Sequence, residues 1–400
     1  MHVVSQKNTE YTAYGILFAI SGSHFINDSI QSVVPAMFPI LEKSLHLSYA
    51  QLGWIAFMLN MTSSIMQPVF GAAADVKPRP YFLPFAMVLS TAGVIGYALA
   101  PNFIFVMLAA LLIGIASAVF HPEGSRVAYM AAGPRRGLAQ SIYQMGGNGG
   151  QSLAPVFTAL LFVPFGQHGA LLFTSVSAAG VYLLYRVSVW YREHTPDNVH
   201  KKEQNHSGQT ITKAIKIAVF LLIMFVFARS WYAAAITNFY QFYLIEDYAF
   251  SIPKAQFYLF AFLGAGVAGT FLGGPLADRF GRKNILLFSM IGALPFTLML
   301  PHLPESAVLP VLVLTGFIIL SSFSVAVVYA QELLPGKVGM ASGLIVGLAF
   351  GMGAIGAVLF GTLADSFGIR SVMIIAGSLP ILGVIAIFLP SDAMLRSREQ

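Results

Sequence analysis

The 400-residue chain contains no cysteine and few charged side chains. The absence of cysteine excludes disulfide bonds, thiolate chemistry and cysteine-ligated zinc. Only 10% of the residues are charged, whereas a soluble domain carries about 25%, so the chain has too few polar groups to cover a surface that faces water. It also lacks a Gly-x-x-x-x-Gly-Lys segment, which argues against direct use of ATP within this chain.

Long apolar runs fill most of the sequence, of which 57% is hydrophobic, with a mean hydropathy of +0.75. A helix needs about 20 apolar residues to cross a bilayer, where every backbone polar group must be satisfied internally. The first run contains Asp28 and ends without a cleavage pattern, which favours a first span over a signal peptide. The runs predict an all-α membrane protein with twelve transmembrane helices, near residues 13–40, 50–74, 81–100, 104–130, 137–163, 167–190, 213–244, 253–277, 284–301, 308–333, 338–364 and 368–389.

The basic residues predict how these spans are oriented. With both termini inside, seventeen of the 22 Lys and Arg residues fall in inner segments, two fall within spans, and three fall in outer loops, namely Lys43, Lys254 and Arg370. This bias follows the positive-inside rule, so we expect both termini to be cytoplasmic. The same placement of the net charge of +6 in short loops argues against a nucleic-acid-binding surface.

A duplicated segment divides the chain into two similar halves. Gly71, Asp75 and Arg79 reappear as Gly274, Asp278 and Arg282, each 203 positions later in a chain of 400 residues. Self-similarity at a fixed offset indicates a repeated unit. We expect a six-helix bundle over 1–190, a polar cytoplasmic linker over 191–212 and a second six-helix bundle over 213–400. Two like halves in an apolar chain are typical of transporters that open alternately to either side of a site between the halves.

The second copy reads Gly274-Pro-Leu-Ala-Asp278-Arg279-Phe-Gly281-Arg282-Lys283 and resembles the loop signature of the major facilitator superfamily. The first copy lacks the second glycine and the Arg-Lys pair. The resemblance implies that these residues form a gating loop, in which the aspartate pairs with the basic cluster and faces a helix N-terminus. The alternative is that both loops only follow the positive-inside rule.

Within this superfamily the chain resembles bacterial fosmidomycin resistance proteins over nearly its whole length, the linker excepted. The stretches that carry this resemblance are Ser23-His24-Phe25-Ile26-Asn27-Asp28, Val119-Phe120-His121-Pro122-Glu123, Ser125-Arg126-Val127-Ala128, Gly146-Gly147-Asn148 and Tyr329-Ala330-Gln331-Glu332-Leu333-Leu334-Pro335-Gly336. The resemblance implies a proton-driven drug exporter of the bacterial inner membrane, working as a monomer on a small molecule and protons, with no cofactor, metal or nucleic acid.

Ionisable side chains within spans are the main candidates for function, because a charge at the bilayer centre costs several kcal/mol unless it faces protein or water. Asp28 lies half-way along the first span, with His24 four residues earlier on the same helical face. The fourth span contains His121, Glu123 and Arg126. We expect Asp28, Glu123, His121 and His24 to serve proton coupling. The alternatives are an aspartate that only packs helices together and a Glu123–Arg126 pair that is neutralised internally.

Arg229 lies in the seventh span, 201 positions after Asp28 and therefore at a similar depth. A guanidinium stays charged and binds carboxylate or phosphonate oxygens well, so Arg229 and Arg126 are predicted to bind an anionic substrate. A salt bridge between Arg229 and Asp28 is the alternative. Uncharged polar residues predicted to line the same cavity are Asn27, Gln31, Gln144, Asn148, Tyr232, Asn238 and Tyr329, although tyrosines near span ends are often interface anchors.

Glycines cluster in the fifth span, at 146, 147, 149 and 150. Small residues at this spacing allow helix backbones to approach closely, so we expect tight packing there.

Two other functions remain open from the sequence. The same fold could drive proton-coupled uptake of a metabolite, because the sequence does not set the direction of transport. An integral-membrane metalloenzyme with His24, Asp28, His121 and Glu123 as ligands is the other, since imidazole and carboxylate suit zinc or iron. The duplicated carrier explains more residues than the enzyme does.

Overall fold

The computed structural model describes residues 12–76, 78–133, 135–195, 212–334, 338–392 and 394. Nearly all of these residues are helical, and none of those described forms a strand. The helices are α1 (Tyr14–Ala36), α2 (Phe38–Leu45), α3 (Tyr49–Val76), α4 (Phe82–Leu99), α5 (Phe103–Ala131), α6 (Arg136–Phe157), α7 (Val163–Phe165), α8 (Phe173–His194), α9 (Lys213–Tyr248), α10 (Ile252–Phe280), α11 (Arg282–Leu287), α12 (Leu294–Met299), α13 (Glu305–Leu320), α14 (Ser322–Leu333), α15 (Val338–Phe367) and α16 (Ile369–Ser378).

Short π or 3₁₀ segments join some of these helices into longer rods. They are Thr158–Phe162, Gly166–Leu172, Phe288–Gly292, Leu300–His302 and Leu379–Phe388. With these joints the described helices form twelve successive passes that match the twelve predicted spans. Nine stretches of the described residues are long and apolar enough to cross a membrane, and one of them, Leu138–His194, contains two passes. The all-α membrane fold is confirmed.

Several helix boundaries have a local cause. The side chain of Asn102 accepts hydrogen bonds from the backbone N–H groups of Ile104 and Phe105 and so caps the start of α5. Thr212 and Ser251 cap α9 and α10 in the same way. Gly281 ends α10 with a φ of 91°, a conformation that glycine adopts without steric cost, and α11 begins at the next residue.

Glycines bring α6 against α1, as predicted for the fifth span. A Cβ atom on Gly146 would lie 2.1 Å from the carbonyl oxygen of Ser21, and one on Gly150 would lie 2.3 Å from that of Phe25. Both distances are far below van der Waals contact, so only glycine permits this approach of the two backbones. The packing places the middle of α6 directly beside the middle of α1.

Polar residues face the interior and large apolar residues face outward. His24, Asp28, Glu123 and Arg229 are all buried. By contrast Phe271 and other large apolar side chains are exposed. This arrangement suits a surface in contact with lipid and keeps the four ionisable groups away from it.

The predicted linker is only partly described. α8 continues to His194, four residues beyond the predicted end of the sixth span at 190, and residues 196–211 lie outside the described residues. The boundaries of the two predicted bundles therefore stay a prediction.

Candidate functional site

Three ionisable side chains meet in the middle of the first half. His24 Nε2 lies 3.4 Å from Asp28 Oδ2, and His121 Nε2 lies 3.3 Å from Asp28 Oδ1. His24 and Asp28 share a face of α1, as their spacing predicts, while His121 comes from α5. His24 and Asp28 are almost fully buried, whereas the His121 side chain keeps 25% of its surface exposed. We call these three residues the His–Asp–His cluster.

Every acceptor position of the Asp28 carboxylate is occupied. Besides the two imidazoles, Asn27 Nδ2 donates to Oδ1 at 3.0 Å and Gln151 Nε2 donates to Oδ2 at 2.9 Å. An ionised carboxylate offers about four lone-pair sites, so four nitrogen neighbours satisfy it completely. Each contact between an imidazole Nε2 and an Asp28 oxygen requires a hydrogen on one of the two atoms, because two lone pairs facing each other would repel.

The Nδ1 atoms of both imidazoles donate hydrogen bonds to backbone carbonyl groups. His24 Nδ1 lies 2.8 Å from the carbonyl oxygen of Tyr143, and His121 Nδ1 lies 2.8 Å from that of Ser117. A carbonyl oxygen only accepts, so both Nδ1 atoms carry their hydrogen. With Nδ1 used in this way, any proton on Nε2 is an additional one. The geometry is therefore that of a buried cluster in which a hydrogen lies between each imidazole and the carboxyl group.

The same three residues have ligand atoms within 4.8 Å of one another, which is close enough for a metal ion. The sequence-based metal site also includes Glu123, and the structure places that carboxyl elsewhere. An ion held by both Nε2 atoms would replace the two imidazole–carboxylate contacts and leave the Asn27 and Gln151 nitrogens on the remaining lone pairs of Asp28.

Glu123 forms a second buried site on the opposite side of α5. Tyr191 of α8 donates its hydroxyl hydrogen to Glu123 Oε2 at 2.8 Å, and Arg126 Nε lies 4.0 Å from the same oxygen. The predicted Glu123–Arg126 pair is thus confirmed. Residues two apart on a helix point about 200° away from each other, so Glu123 does not join His121.

A hydrogen-bonded polar chain leads away from His121. Ser117 Oγ lies 3.2 Å from His121 Nδ1 and donates to Gln31 Oε1 at 2.7 Å. Gln31 Nε2 reaches Asn60 Oδ1 of α3 at 3.5 Å. The predicted cavity residue Gln31 is therefore linked to the His–Asp–His cluster through one serine.

Arg229 lies in the middle of α9, and its guanidinium packs over the ring of Phe323 at 4.9 Å. Its side chain is 4% exposed, and no carboxylate of the described residues lies within 4.0 Å of it. Nε has no hydrogen-bond partner among these residues. The alternative Arg229–Asp28 salt bridge is absent from the described part of the chain, because nitrogen atoms already surround Asp28. A buried cation without a counter-ion is suited to an anionic ligand.

The other predicted cavity residues have varied surroundings. Tyr232 is buried, and its hydroxyl has no partner among the described residues. Asn238 donates to the carbonyl oxygen of Ala234 in its own helix at 2.8 Å. Tyr329 donates to the carbonyl oxygen of Pro390 at 2.7 Å, at the end of the twelfth pass. Gln144 is exposed and Asn148 is half-buried.

The second copy of the predicted gating loop ties together the ends of several passes. Arg282 Nη2 lies 2.8 Å from Glu332 Oε1 and 3.8 Å from Asp278 Oδ1, and its backbone N–H donates to Asp392 Oδ2 at 2.7 Å. Lys283 Nζ donates to the carbonyl oxygen of Ile387 at 2.6 Å. Arg282 therefore connects the eighth, tenth and twelfth passes within the second half. We call this end of the molecule the Arg282 end.

The remaining residues of the two loops make fewer contacts. Arg279 lies over the ring of Phe280 at 5.3 Å, and Gly274 has open space beside it. In the first copy, a Cβ on Gly71 would lie 3.6 Å from Pro122 Cβ, and Arg79 lies over Phe82 at 5.0 Å. The side chain of Asp75 lies outside the described residues, so a pairing by this aspartate stays a prediction.

Sequence reasoning missed Gln151 and Ser117, which complete the surroundings of Asp28 and His121. Amide and hydroxyl side chains on apolar helices give only a weak signal, since most such groups bond to their own helix. Gln151 lies one turn beyond Gly147 on α6, and that glycine-rich stretch was the available signal.

A model of the Major Facilitator Superfamily matches residues 20–353 and 221–399. The chain belongs to the Major Facilitator Superfamily.

Relatives agree with this membership. The chain is 52% identical to the uncharacterized MFS-type transporter YfnC of Bacillus subtilis over 388 residues, covering 96% of this chain and 95% of that protein. It is 44% identical to the fosmidomycin resistance protein of Escherichia coli over 383 residues, covering 95% and 94%.

Solved structures share the fold at low sequence identity. The nucleoside transporter NupG superposes with a TM-score of 0.73 at 15% identity, covering 93% of this chain and 97% of that one. A bacterial homologue of the human lysosomal transporter Spinster gives a TM-score of 0.74 at 16% identity, covering 96% and 95%. These two structures show the fold of this chain to be that of the superfamily.

Proposed function

We propose that this transporter exports a small anionic drug, such as a phosphonate antibiotic of the fosmidomycin type, in exchange for protons. The observation that carries the proposal is the His–Asp–His cluster. A carboxylate with two imidazoles aimed at it, all at the middle of the bundle and away from lipid, is an arrangement that holds and releases protons. The 44% identity to the fosmidomycin resistance protein of Escherichia coli supports the substrate class.

The surroundings of Asp28 suggest how protons reach it. The groups that face it are His24 and Asn27 on its own helix, His121 on α5 and Gln151 on α6. The Tyr143 ring is stacked on His24 at a centroid distance of 4.1 Å. Among the three ionisable groups of the cluster, His121 has the greatest exposure. We therefore assign proton entry and exit to His121 and proton storage to the buried His24–Asp28 pair.

Arg229 supplies the anion site of the proposal. The cation is buried without a counter-ion among the described residues, so a bound phosphonate would remove the penalty of an isolated charge. It lies in the seventh pass, whereas the His–Asp–His cluster lies in the first and fourth. Substrate and proton would then act on different halves, and alternation between the halves would couple them. A monomer in the bacterial inner membrane with cytoplasmic termini completes the proposal.

Replacement of Asp28 by Asn tests the proton role. The purified variant, reconstituted into liposomes, should no longer move protons when fosmidomycin is added, because a side-chain amide takes up no proton near neutral pH. Counterflow exchange of labelled for unlabelled drug should remain, since that process needs no net proton movement. Unchanged drug-dependent proton flux in the Asp28→Asn variant would refute the assignment, and flux directed with the drug would support the uptake alternative.

A further inference from the structure

Residues 361–370 repeat the sequence of the second gating loop at the opposite end of the bundle. They read Gly-Thr-Leu-Ala-Asp-Ser-Phe-Gly-Ile-Arg, against Gly-Pro-Leu-Ala-Asp-Arg-Phe-Gly-Arg-Lys at 274–283, and six of the ten positions are identical. Gly368 has a φ of 79° and Gly281 one of 91°, so the two loops also share the backbone turn before the next helix. The ninth, tenth and eleventh passes lie between the two loops, and this odd number of passes places the loops at opposite ends.

The aspartate of this third copy caps a helix of the other half. Asp365 Oδ1 accepts a hydrogen bond from the backbone N–H of Tyr49 at 2.8 Å, and Oδ2 accepts one from that of Ala50 at 2.9 Å. These are the first two residues of α3, and the first four N–H groups of a helix have no partner within the helix. A carboxylate there also interacts favourably with the helix dipole. The Tyr49 hydroxyl donates to Glu246 of α9, a second contact between the halves.

The two helix backbones touch at this end and separate toward the middle. A Cβ on Gly361 would lie 2.3 Å from the carbonyl oxygen of Tyr49, and one on Gly53 would lie 2.4 Å from that of Ala357. Nearer the middle of α15, a Cβ on Gly351 would lie 3.9 Å from the nearest atom of Ser64. The pathway between α3 and α15 is therefore closed at what we call the Tyr49 end.

A second set of contacts caps the end of α1 from the other half. Gln241 of α9 donates to the carbonyl oxygen of Pro35 at 2.8 Å, and Gln256 of α10 donates to that of Ala36 at 2.8 Å. Both glutamine side chains are fully buried. The last carbonyl groups of a helix lack partners within it, so the second half supplies the donors that the end of α1 needs.

We infer that these contacts form the gate at the Tyr49 end, which closes when the second half caps two helix ends of the first. Asp365 satisfies the start of α3, and the two glutamines satisfy the end of α1. Water can replace each of these partners once the halves separate, so the gate is reversible. Charge placement predicts that this end faces outward, and the inference holds whichever substrate the carrier moves.

The natural absence of cysteine makes the gate directly measurable. Spin labels on Lys43→Cys and Phe367→Cys report the separation of the two halves at the Tyr49 end, because both positions are exposed and lie in different halves. In nanodiscs, Asp365→Ala should change the two populations seen in the distribution of label–label distances. The ratio of the population with the long distance to that with the short distance should rise about fivefold, which is the effect of losing one helix cap. Asp247→Ala is the matched control, because Asp247 pairs with Arg370 inside the second half, at 3.7 Å. It should leave the ratio unchanged.

A second variant tests the gate without removing the Asp365 carboxylate. Gly361→Val should also shift the labels to longer distances, since its side chain would collide with the Tyr49 carbonyl, while the second-half carboxylate stays in place. The inference is overturned if neither variant changes the distance distribution, or if Asp247→Ala changes it as much as Asp365→Ala does. Loss of drug transport in the Asp28→Asn variant has no bearing on this outcome, so the gate and the proposed function are tested separately.

Discussion

Replacing Gly147 by alanine should disable proton coupling while leaving the fold in place. A Cβ on Gly147 would lie 2.5 Å from His24 Nε2 and 2.9 Å from Asp28 Oδ2. Ordinary contact begins near 3.4 Å, so the imidazole would have to retreat by roughly 1 Å. The ring has no room to do so, because its Nδ1 is bound to the Tyr143 carbonyl at 2.8 Å and its face is stacked on the Tyr143 ring.

The size of the effect follows from these contacts. Overpacking a filled interior costs about 1–3 kcal/mol, and a hydrogen bond to a charged group contributes about 1.5–3 kcal/mol. Since each 1.4 kcal/mol corresponds to about a factor of ten, drug-dependent proton flux should fall by roughly ten- to a hundredfold. The loss should exceed any change in the amount of protein in the membrane.

The assay is proton movement into proteoliposomes after addition of fosmidomycin, with equal amounts of protein. Gly149→Ala is the control, because a Cβ there would meet only the Phe25 ring at 3.4 Å, an ordinary contact. Thermal unfolding of both variants in detergent shows whether the fold survives. Equal proton flux in the Gly147→Ala and Gly149→Ala variants would refute the reasoning, because only Gly147 touches the His–Asp–His cluster.

Two further variants separate the roles of the other buried charges. Arg229→Leu should reduce transport of anionic drugs about tenfold or more, as expected for the loss of a hydrogen bond to a charged group, and should change transport of neutral drugs little. Equal losses in an uptake assay with both types of drug would reject the anion site. Glu123→Gln should keep drug-dependent proton flux, because Asp28 and not Glu123 contacts the two histidines, yet lower the free energy of unfolding by about 1.5–3 kcal/mol through its weaker bond with Tyr191. Abolished flux with unchanged unfolding would instead assign the proton to Glu123.

Helical spacing within one segment was enough to predict part of the site. His24 and Asp28 are four residues apart on one helix, so their proximity follows from the pitch of α1 alone. Glu123 and Arg126 are three apart, and their pairing on α5 follows in the same way. The same rule, applied to His121 and Glu123, shows why these two residues face different helices although they are neighbours in the sequence.

Contacts between helices could not be predicted in this way. Which face of α5 turns toward α1 depends on how α5 packs against its other neighbours, so the meeting of His121 with Asp28 is a tertiary result. The position of Gln151 depends likewise on the approach that Gly146 and Gly150 allow between α6 and α1. The sequence did not predict the gate at the Tyr49 end, because Asp365 has no charged partner in its own loop. Its hydrogen-bond donors are backbone N–H groups that lie 316 and 315 residues away in the chain.

The sequence by itself determined that this chain is a membrane protein of twelve helical passes in two similar parts, because apolar run length, loop charge and an internal repeat each reflect physics that acts locally along the chain. Only the tertiary structure decided which polar groups share a site. Burial forces each polar atom to find a partner, and in a bundle of apolar helices that partner is set by packing between faces that the sequence does not orient. The closed Tyr49 end arises from that packing, and so does the position of Arg229 away from every carboxylate among the described residues.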